Sequence, residues 1–441
     1  MKDQHLRLVG VILLIAVLVL ACSSKSEPTP LPGCEEAPRP IVFVHGFLAG
    51  GDSFVNTAMR FSSNGYCPEY LRFFDWNTII RNMEVSSEKL ADFVKQVRDE
   101  TGAKQVDLVG HSAGGGLSHA YLQDHADQVA HYVHAASFCD LEFSDDVSLM
   151  VLSSDEDVVT GPCSIEGADN QDLDGADHLQ VVTVPEAFAA MYRFFNEGQA
   201  PATTRVIAQE TVMLSGKVFS FGANVPMDGS VVNVYPLDAA TGERQTSTPV
   251  GSFIAGEDGA WGPFQADPSI YYELEVTDDD MRPFHYYRQP SPRSHSLVYL
   301  RVLPESDLLL SRMLKDLRYD DASSTLVFFS ANQALYHGRD TATLDGLDLA
   351  TIDMAPAPPF EDSTIVIFIF DAGGDDQSDG GPVPGQLSDF PFLSQYDAFL
   401  DASARRTMTL TMNGATLNVP TWKGDSEGTI IVVFDYGQDG L

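Results

Sequence analysis

The chain has 441 residues, of which 44% are apolar, and a formal net charge of −37. That length fits two or three domains, and the apolar fraction is enough for a packed core along it. The negative charge repels phosphate backbones, which excludes nucleic acid as a partner, and reads as a solubilising surface.

The first residues carry an export signal. Lys2 and Arg7 precede an apolar run from Leu8 to Leu20, closed by Ala21 and Cys22. A run this short, ending in a small residue, reads as a secretory signal rather than a spanning helix. Val19-Leu20-Ala21-Cys22 resembles a bacterial lipoprotein signal, which implies cleavage before Cys22 and its lipidation. Ser23 in place of Asp then implies outer-membrane sorting, on the periplasmic side or at the surface. Residues 1–22 are thus expected to be signal and lipidated Cys, and 23–37, rich in Ser and Pro, a tether. Several acyl chains on one Cys would make the membrane a stable partner. No obligate protein partner is evident.

Residues 38–198 alternate apolar strands with helical patterns. Ile41 to Val44, Leu71 to Phe74, Val106 to Val109, Val129 to Ala135 and Leu149 to Leu152 read as strands, several apolar throughout and so buried on both faces. Ser87 to Arg98 is an amphipathic helix with a Ser as its cap, and Pro185 to Phe195 is a closing helix with Pro at its start. This alternation predicts α/β architecture, a parallel sheet with helices on both faces.

Beyond the linker Pro201 to Thr204, helical periodicity almost disappears. Short runs such as Met213–Phe221, Ser230–Tyr235, Tyr271–Val276, Ser296–Val302, Thr325–Phe329, Thr364–Phe370, Thr407–Met412 and Thr429–Phe434 predict an all-β C-terminal region, sandwich or barrel. Its length suggests two β domains, 205–303 and 304–441.

Gly110-His111-Ser112-Ala113-Gly114 lies between an apolar strand and a helix rich in small residues. A nucleophile elbow has this setting: a tight strand-to-helix turn exposes the Ser hydroxyl. Ser112 is the candidate nucleophile. Val44-His45-Gly46-Phe47 ends the first strand, where the N–H of Phe47 and that of Ala113 become candidate oxyanion donors. A base and an acid are expected after the Ser in the order acid, His. His178, in a loop before the closing helix, is the candidate base. The earlier His45 and the nearby His111, His119, His125, His131 and His134 read as structural. Among the acids near the end of the Leu149–Leu152 strand, Asp157 is preferred, then Asp155, with Asp140 after the preceding strand third.

His45-Gly46-Phe47, Phe74-Asp75-Trp76-Asn77-Thr78, the Ser112 pentapeptide, and His178-Leu179-Gln180 with Pro185-Glu186-Ala187-Phe188 resemble the class 2 (Bacillus-type) lipases. The likeness is closest to the archaeal alkaline lipases, which add a C-terminal β-domain for lipid. Val234 to Asp238, His285 to Arg288 and Phe370 to Gly373 are similar to that second half. In those relatives the acid follows the strand before, where this chain has Ala136-Ser137, so the acid does not carry over. With Cys22 set aside, Cys34, Cys67, Cys139 and Cys163 allow three pairings in an oxidising compartment. The strand order implied by the resemblance favours Cys34–Cys67 and Cys139–Cys163.

These residues predict a lipase or carboxylesterase for acyl glycerols working through a Ser-Asp-His triad. A polyester depolymerase or thioesterase with the same triad, and a non-catalytic surface binding protein, are the alternatives. No cofactor is implied. Asn170-x-Asp172-x-Asp174-Gly175 starts like a calcium loop, but Val181 stands at the position of its last ligand. It and the Asp371–Asp379 stretch read as solvated turns, so no metal is expected. A chain truncated near Gly198 should still cleave short, soluble esters if it folds, and lose most activity on long-chain, emulsified substrate. Tyr271, Tyr286, Tyr287 and Tyr299 are expected to face lipid, with a spacer role for the β half as the alternative.

Overall fold

The computed structural model describes residues 39–80, 82–279, 281–303, 317–358, 363–384, 390 and 392–436. The signal, Cys22, Cys34 and the tether lie outside them, as does the start of the expected second β domain at 304.

The first half runs β1 (Ile41–Val44), α1 (Val55–Ser63), β2 (Leu71–Phe74), α2 (Met83–Thr101), β3 (Val106–His111), α3 (Ala113–His125), β4 (Val129–Ala135), β5 (Ser148–Ser153), β6 (Asp169–Asp172), α4 (Gln180–Thr183) and α5 (Pro185–Phe195). The six strands form one parallel sheet in the order β2-β1-β3-β4-β5-β6. Successive side chains on a strand point to opposite faces, and β1 shows the consequence. Ile41 and Phe43 join the core under α1 and α5, whereas Val42 and Val44 join the core under α2 and α3. The chain direction of strand filling reverses between β1 and β3, so the loops at their carboxyl ends lie side by side at the switch point where such sheets bind ligands.

Two local expectations need correction. Helix α2 begins four residues earlier than its pattern suggested, and Asn82, not a Ser, caps it by accepting the Val85 N–H at 3.3 Å. Strand β6 was not foreseen: Asp-Asn-Gln-Asp is an exposed polar edge without an apolar pattern.

The second half continues with β7 (Val212–Ser220), β8 (Val231–Pro236), β9 (Gly251–Ile254), β10 (Ala260–Ala266), β11 (Tyr272–Asp278), β12 (Met281–Arg288) and β13 (His295–Val302). It then runs through β14 (Thr325–Ser330), β15 (Ala342–Leu344), β16 (Leu347–Asp348), β17 (Thr364–Phe370), β18 (Phe392–Asp397), β19 (Thr407–Met412), β20 (Ala415–Pro420) and β21 (Thr429–Phe434). These strands make a three-stranded sheet (β10-β7-β13), an eight-stranded sheet (β18-β17-β14-β21-β12-β11-β8-β9) and a four-stranded sheet (β16-β15-β19-β20).

The division at 303/304 does not separate two sheets. Strands β12 and β21, one from each expected β domain, pair in parallel from Phe284↔Thr429 to Arg288↔Val433 and join both segments in the eight-stranded sheet. Phe284, His285, Tyr286 and Tyr287 are buried in succession, so β12 is a central strand and needs a neighbour on each side.

The sheets stack on the hydrolase half through alternation. In β7 and β13, Val218, Leu300 and Val302 face the eight-stranded sheet, while Phe219, Leu297 and Tyr299 enter the hydrolase core. In the eight-stranded sheet, Val327, Val366, Phe368, Ile431 and Val433 face the hydrolase side, and Leu326, Phe328, Ile367, Ile430 and Val432 face the four-stranded sheet. The tyrosines expected to touch lipid are placed otherwise. Tyr286, Tyr287 and Tyr299 are buried and Tyr271 is half-buried.

Candidate active site

Strand β3 passes into α3 through Ser112, whose backbone sits at φ 54°, ψ −124°. This strained conformation lifts the side chain out of the turn. The flanking glycines are required by space. A Cβ on Gly114 would lie 2.2 Å from the Val44 carbonyl oxygen, and one on Gly110 2.6 Å from Ser118 Oγ. The turn is fixed further by the Ser112 N–H donating to Ala135 O (3.0 Å) and by Ser137 Oγ donating to Ser112 O (2.7 Å).

Ser112 Oγ is 2.9 Å from His178 Nε2. His178 Nδ1 is 3.0 and 2.9 Å from the two Asp157 carboxylate oxygens. Nδ1–H donates to the carboxylate, which leaves Nε2 free to accept the Ser112 proton. Burial pushes the Asp157 carboxyl up, but His178, the Thr160 hydroxyl at 2.6 Å and the Val159 N–H at 2.9 Å outweigh it and hold the group at about 2. Of the three acids weighed from the sequence, only Asp157 reaches the imidazole. Asp155 and Asp140 are exposed.

Ala113 provides the first amide of α3, which has no intrahelical acceptor, and Phe47 lines the same pocket as Ser112. The loop bearing Phe47 is tied down on both sides. Leu48 N–H donates to Thr78 Oγ1 (3.0 Å), Thr78 Oγ1 donates to Gly222 O (2.9 Å), and Asn224 Nδ2 donates to Ala49 O (2.7 Å). His45 is fully buried, with its Nε2 accepting the Trp76 N–H at 3.2 Å. Burial lowers its pKa, so it stays neutral and shapes the loop. His111 is also buried, its pKa lowered to about 3 by burial and by His178, and its Nε2–H donates to His178 O at 2.8 Å.

Beside Ser112 a pocket, partly open to solvent, lies between the two halves. Phe47 and Leu48 line one side. Val327, Ile365, Phe368, Ile431 and Val433 of the eight-stranded sheet line the other, and Phe392 stacks on the His178 ring at 5.7 Å. None of these β-half residues was found from the sequence, because their signal is plain strand alternation, identical to that of a core face. Thr78 lies in a quoted motif, but its role as a link to Gly222 is a contact over 144 residues.

Cys139 and Cys163 form a disulfide that ties the loop after β4 to the loop carrying Asp157. Cys67 is disulfide-bonded too, while Cys34, its expected partner, is outside the described residues. The Asn170 side chain is spent on Ile165 and Ala168 backbone groups, and the amides of Gly374 and Asp376 donate to Asp371. Among the described residues, Glu273, Glu275 and His285 bring possible metal ligands within 4.8 Å of one another. The Arg244 guanidinium already occupies that acid pair, at 2.6 Å from Glu273 and 2.8 Å from Glu275.

A model of the α/β hydrolase fold matches residues 39–161, a lipase C-terminal domain model matches 210–304, and a further C-terminal domain model matches 329–437. The chain is a lipase-like α/β-hydrolase. Solved structures similar to it include lipase B of Aspergillus fumigatus, 13% identical over 40% of this chain and 56% of that one, TM-score 0.31. This chain thus spans little more than half the length of that lipase. A carboxylesterase of Bacillus subtilis is 13% identical over 37% of this chain and 86% of that one, TM-score 0.27. An α/β hydrolase from a Moroccan lagoon-sediment metagenome is 19% identical over 36% and 91%, TM-score 0.29.

Proposed function

We propose that this hydrolase cleaves carboxylic esters of acyl chains, as a lipase or carboxylesterase, through Ser112, His178 and Asp157. The observation that carries the reading is the unbroken line of hydrogen bonds from Asp157 through His178 to a Ser112 held in an elbow beside an apolar pocket. Ser112 Oγ attacks the ester carbonyl carbon as His178 Nε2 takes its proton. The Phe47 and Ala113 N–H groups receive the tetrahedral oxyanion. His178 returns the proton to the leaving alcohol, and water activated by the same imidazole releases the acid from the acyl-enzyme. Asp157 stays ionised and stabilises the imidazolium. The acyl chain lies against the apolar face of the eight-stranded sheet, so both halves make the substrate site. The motifs around His45, Trp76, Ser112 and His178 support a class 2 lipase affinity, closest to the archaeal alkaline lipases. The leader through Cys22 supports export and lipid anchoring at the outer membrane of a bacterial envelope.

The test is a chain-length series of p-nitrophenyl esters with an emulsified triacylglycerol and an acyl thioester. Ser112→Ala and His178→Ala should each lower kcat on the order of 10⁴-fold or more while remaining folded. A folded Ser112→Ala protein with near wild-type turnover would overturn the assignment.

A further inference from the structure

We propose that Arg339, in the β half, is a positioning residue that sets the His178 imidazole through an ion pair with the buried Asp177 carboxylate. The proposal rests on Ser112 and His178 being the reacting pair. Asp177 precedes His178 in the chain, and its side chain is fully buried. One carboxylate oxygen accepts the N–H groups of Leu179 and Gln180, both at 3.0 Å, which closes the turn that carries His178. The other accepts the Ala334 N–H at 3.1 Å and Arg339 Nη2 at 2.9 Å, both from the β half. Arg339 is held in turn by Asp340 at 2.9 Å and lies 4.4 Å from the centre of the Tyr336 ring. The Gln180 side chain accepts the Asp177 N–H at 3.0 Å and Arg339 Nη1 at 3.3 Å, so the guanidinium touches the turn at two points, Asp177 and Gln180.

The consequence of breaking the pair follows from burial. Without Arg339 a carboxylate remains enclosed with no cation, a state relieved by swinging the side chain outward or by taking up a proton. The turn that Asp177 closes includes His178, so either relief shifts the imidazole. Its Nε2 holds Ser112 Oγ at 2.9 Å, and misplacement by about 1 Å is worth about 10²-fold in rate. Substrate contacts are untouched, since the Asp177 carboxylate and Arg339 are not among the groups lining the pocket. The β half therefore acts on the chemical step as well as on binding.

The experiment uses the full chain and a soluble butyrate ester. Arg339→Gln should lower kcat by about 10²-fold with KM within about twofold, and Arg339→Lys should recover most of the loss, because a point charge restores the pair without its fork. Asp177→Asn should show the same split from the other side, and it serves if Arg339→Gln does not fold. The control is Arg293→Ala, which removes another bridge between the halves: Arg293 donates to the Ser62 hydroxyl and carbonyl, both at 2.8 Å, and to Ile207 O at 2.9 Å. It should leave kcat unchanged. Unchanged kcat in a folded Arg339→Gln protein, or an equal loss in Arg293→Ala, overturns the proposal. An active Ser112→Ala protein overturns instead the functional reading beneath it.

Discussion

Asp155 and Asp157 are two residues apart at the end of β5, and the turn between them decides which meets His178. The Gly161 N–H donates to Asp157 O at 2.8 Å and the Val159 N–H to its carboxylate at 2.9 Å, so the chain curls around Asp157 and leaves Asp155 in water. Asp157→Asn should lower kcat on the order of 10⁴-fold, because an amide favours the wrong imidazole tautomer, while Asp155→Asn should stay within a few-fold. Comparable losses in both variants would remove the distinction. The same carboxylate gives a stability prediction. Its folded pKa of about 2 lies below the ordinary value of ~3.9, so its stabilisation is complete above that value and is lost as pH falls toward 2. Unfolding free energies from urea titrations should drop over that window by about 2 kcal/mol more in wild type than in Asp157→Asn. Ser112 and His178, proposed as nucleophile and base and 2.9 Å apart, could be singled out in the sequence because an elbow and a chain order are simple patterns. Asp177, Arg339 and Phe392 were not. Each acts through a contact bridging more than 150 residues, and nothing in the neighbouring sequence marks such a contact.

At the scale of elements, a strand with a two-residue period divides its labour between faces. In β21, Ile431 and Val433 line the pocket beside Ser112, whereas Ile430 and Val432 pack toward the four-stranded sheet. Val433→Trp should therefore lower kcat/KM for long acyl esters by about 10-fold or more and spare butyrate, a profile read directly from the ester series. Ile430→Ala should cost about 2–5 kcal/mol of stability and leave the chain-length profile unchanged. If the two effects are exchanged, the pocket is not the acyl site. The pattern explains which elements the sequence revealed. β17, β19 and β21 coincide with their apolar runs, and β4 and α5 with their periodicities. β9 escaped because its four residues are exposed or half-buried, β10 because Gly and Pro interrupt its alternation, and β6 because it is polar throughout.

For the whole molecule, the question is whether the hydrolase half stands alone. A chain ending near Gly198 keeps every residue the sequence names for catalysis, and cleaves short soluble esters on that reading if it folds. The packing argues against its folding as the full chain does. Phe219, Leu297, Tyr299 and Tyr436 of the β half are buried in the same core as β1, α1 and α5, so truncation exposes the apolar residues they cover. The loops of the site also lose their outer anchors. Arg301 pairs with Asp52, Lys217 with Asp75 at 2.8 Å, Asn224 holds Ala49, and Arg339 holds Asp177. Exposed apolar area of this kind favours association, and loosened loops misplace both the proposed oxyanion donors and the imidazole. The truncated chain should bind a hydrophobic dye or aggregate, and its turnover of butyrate should fall at least about 10²-fold below that of the full chain, both proteins lacking residues 1–22. A soluble, monomeric truncated chain with wild-type butyrate turnover would return the β half to the role of spacer.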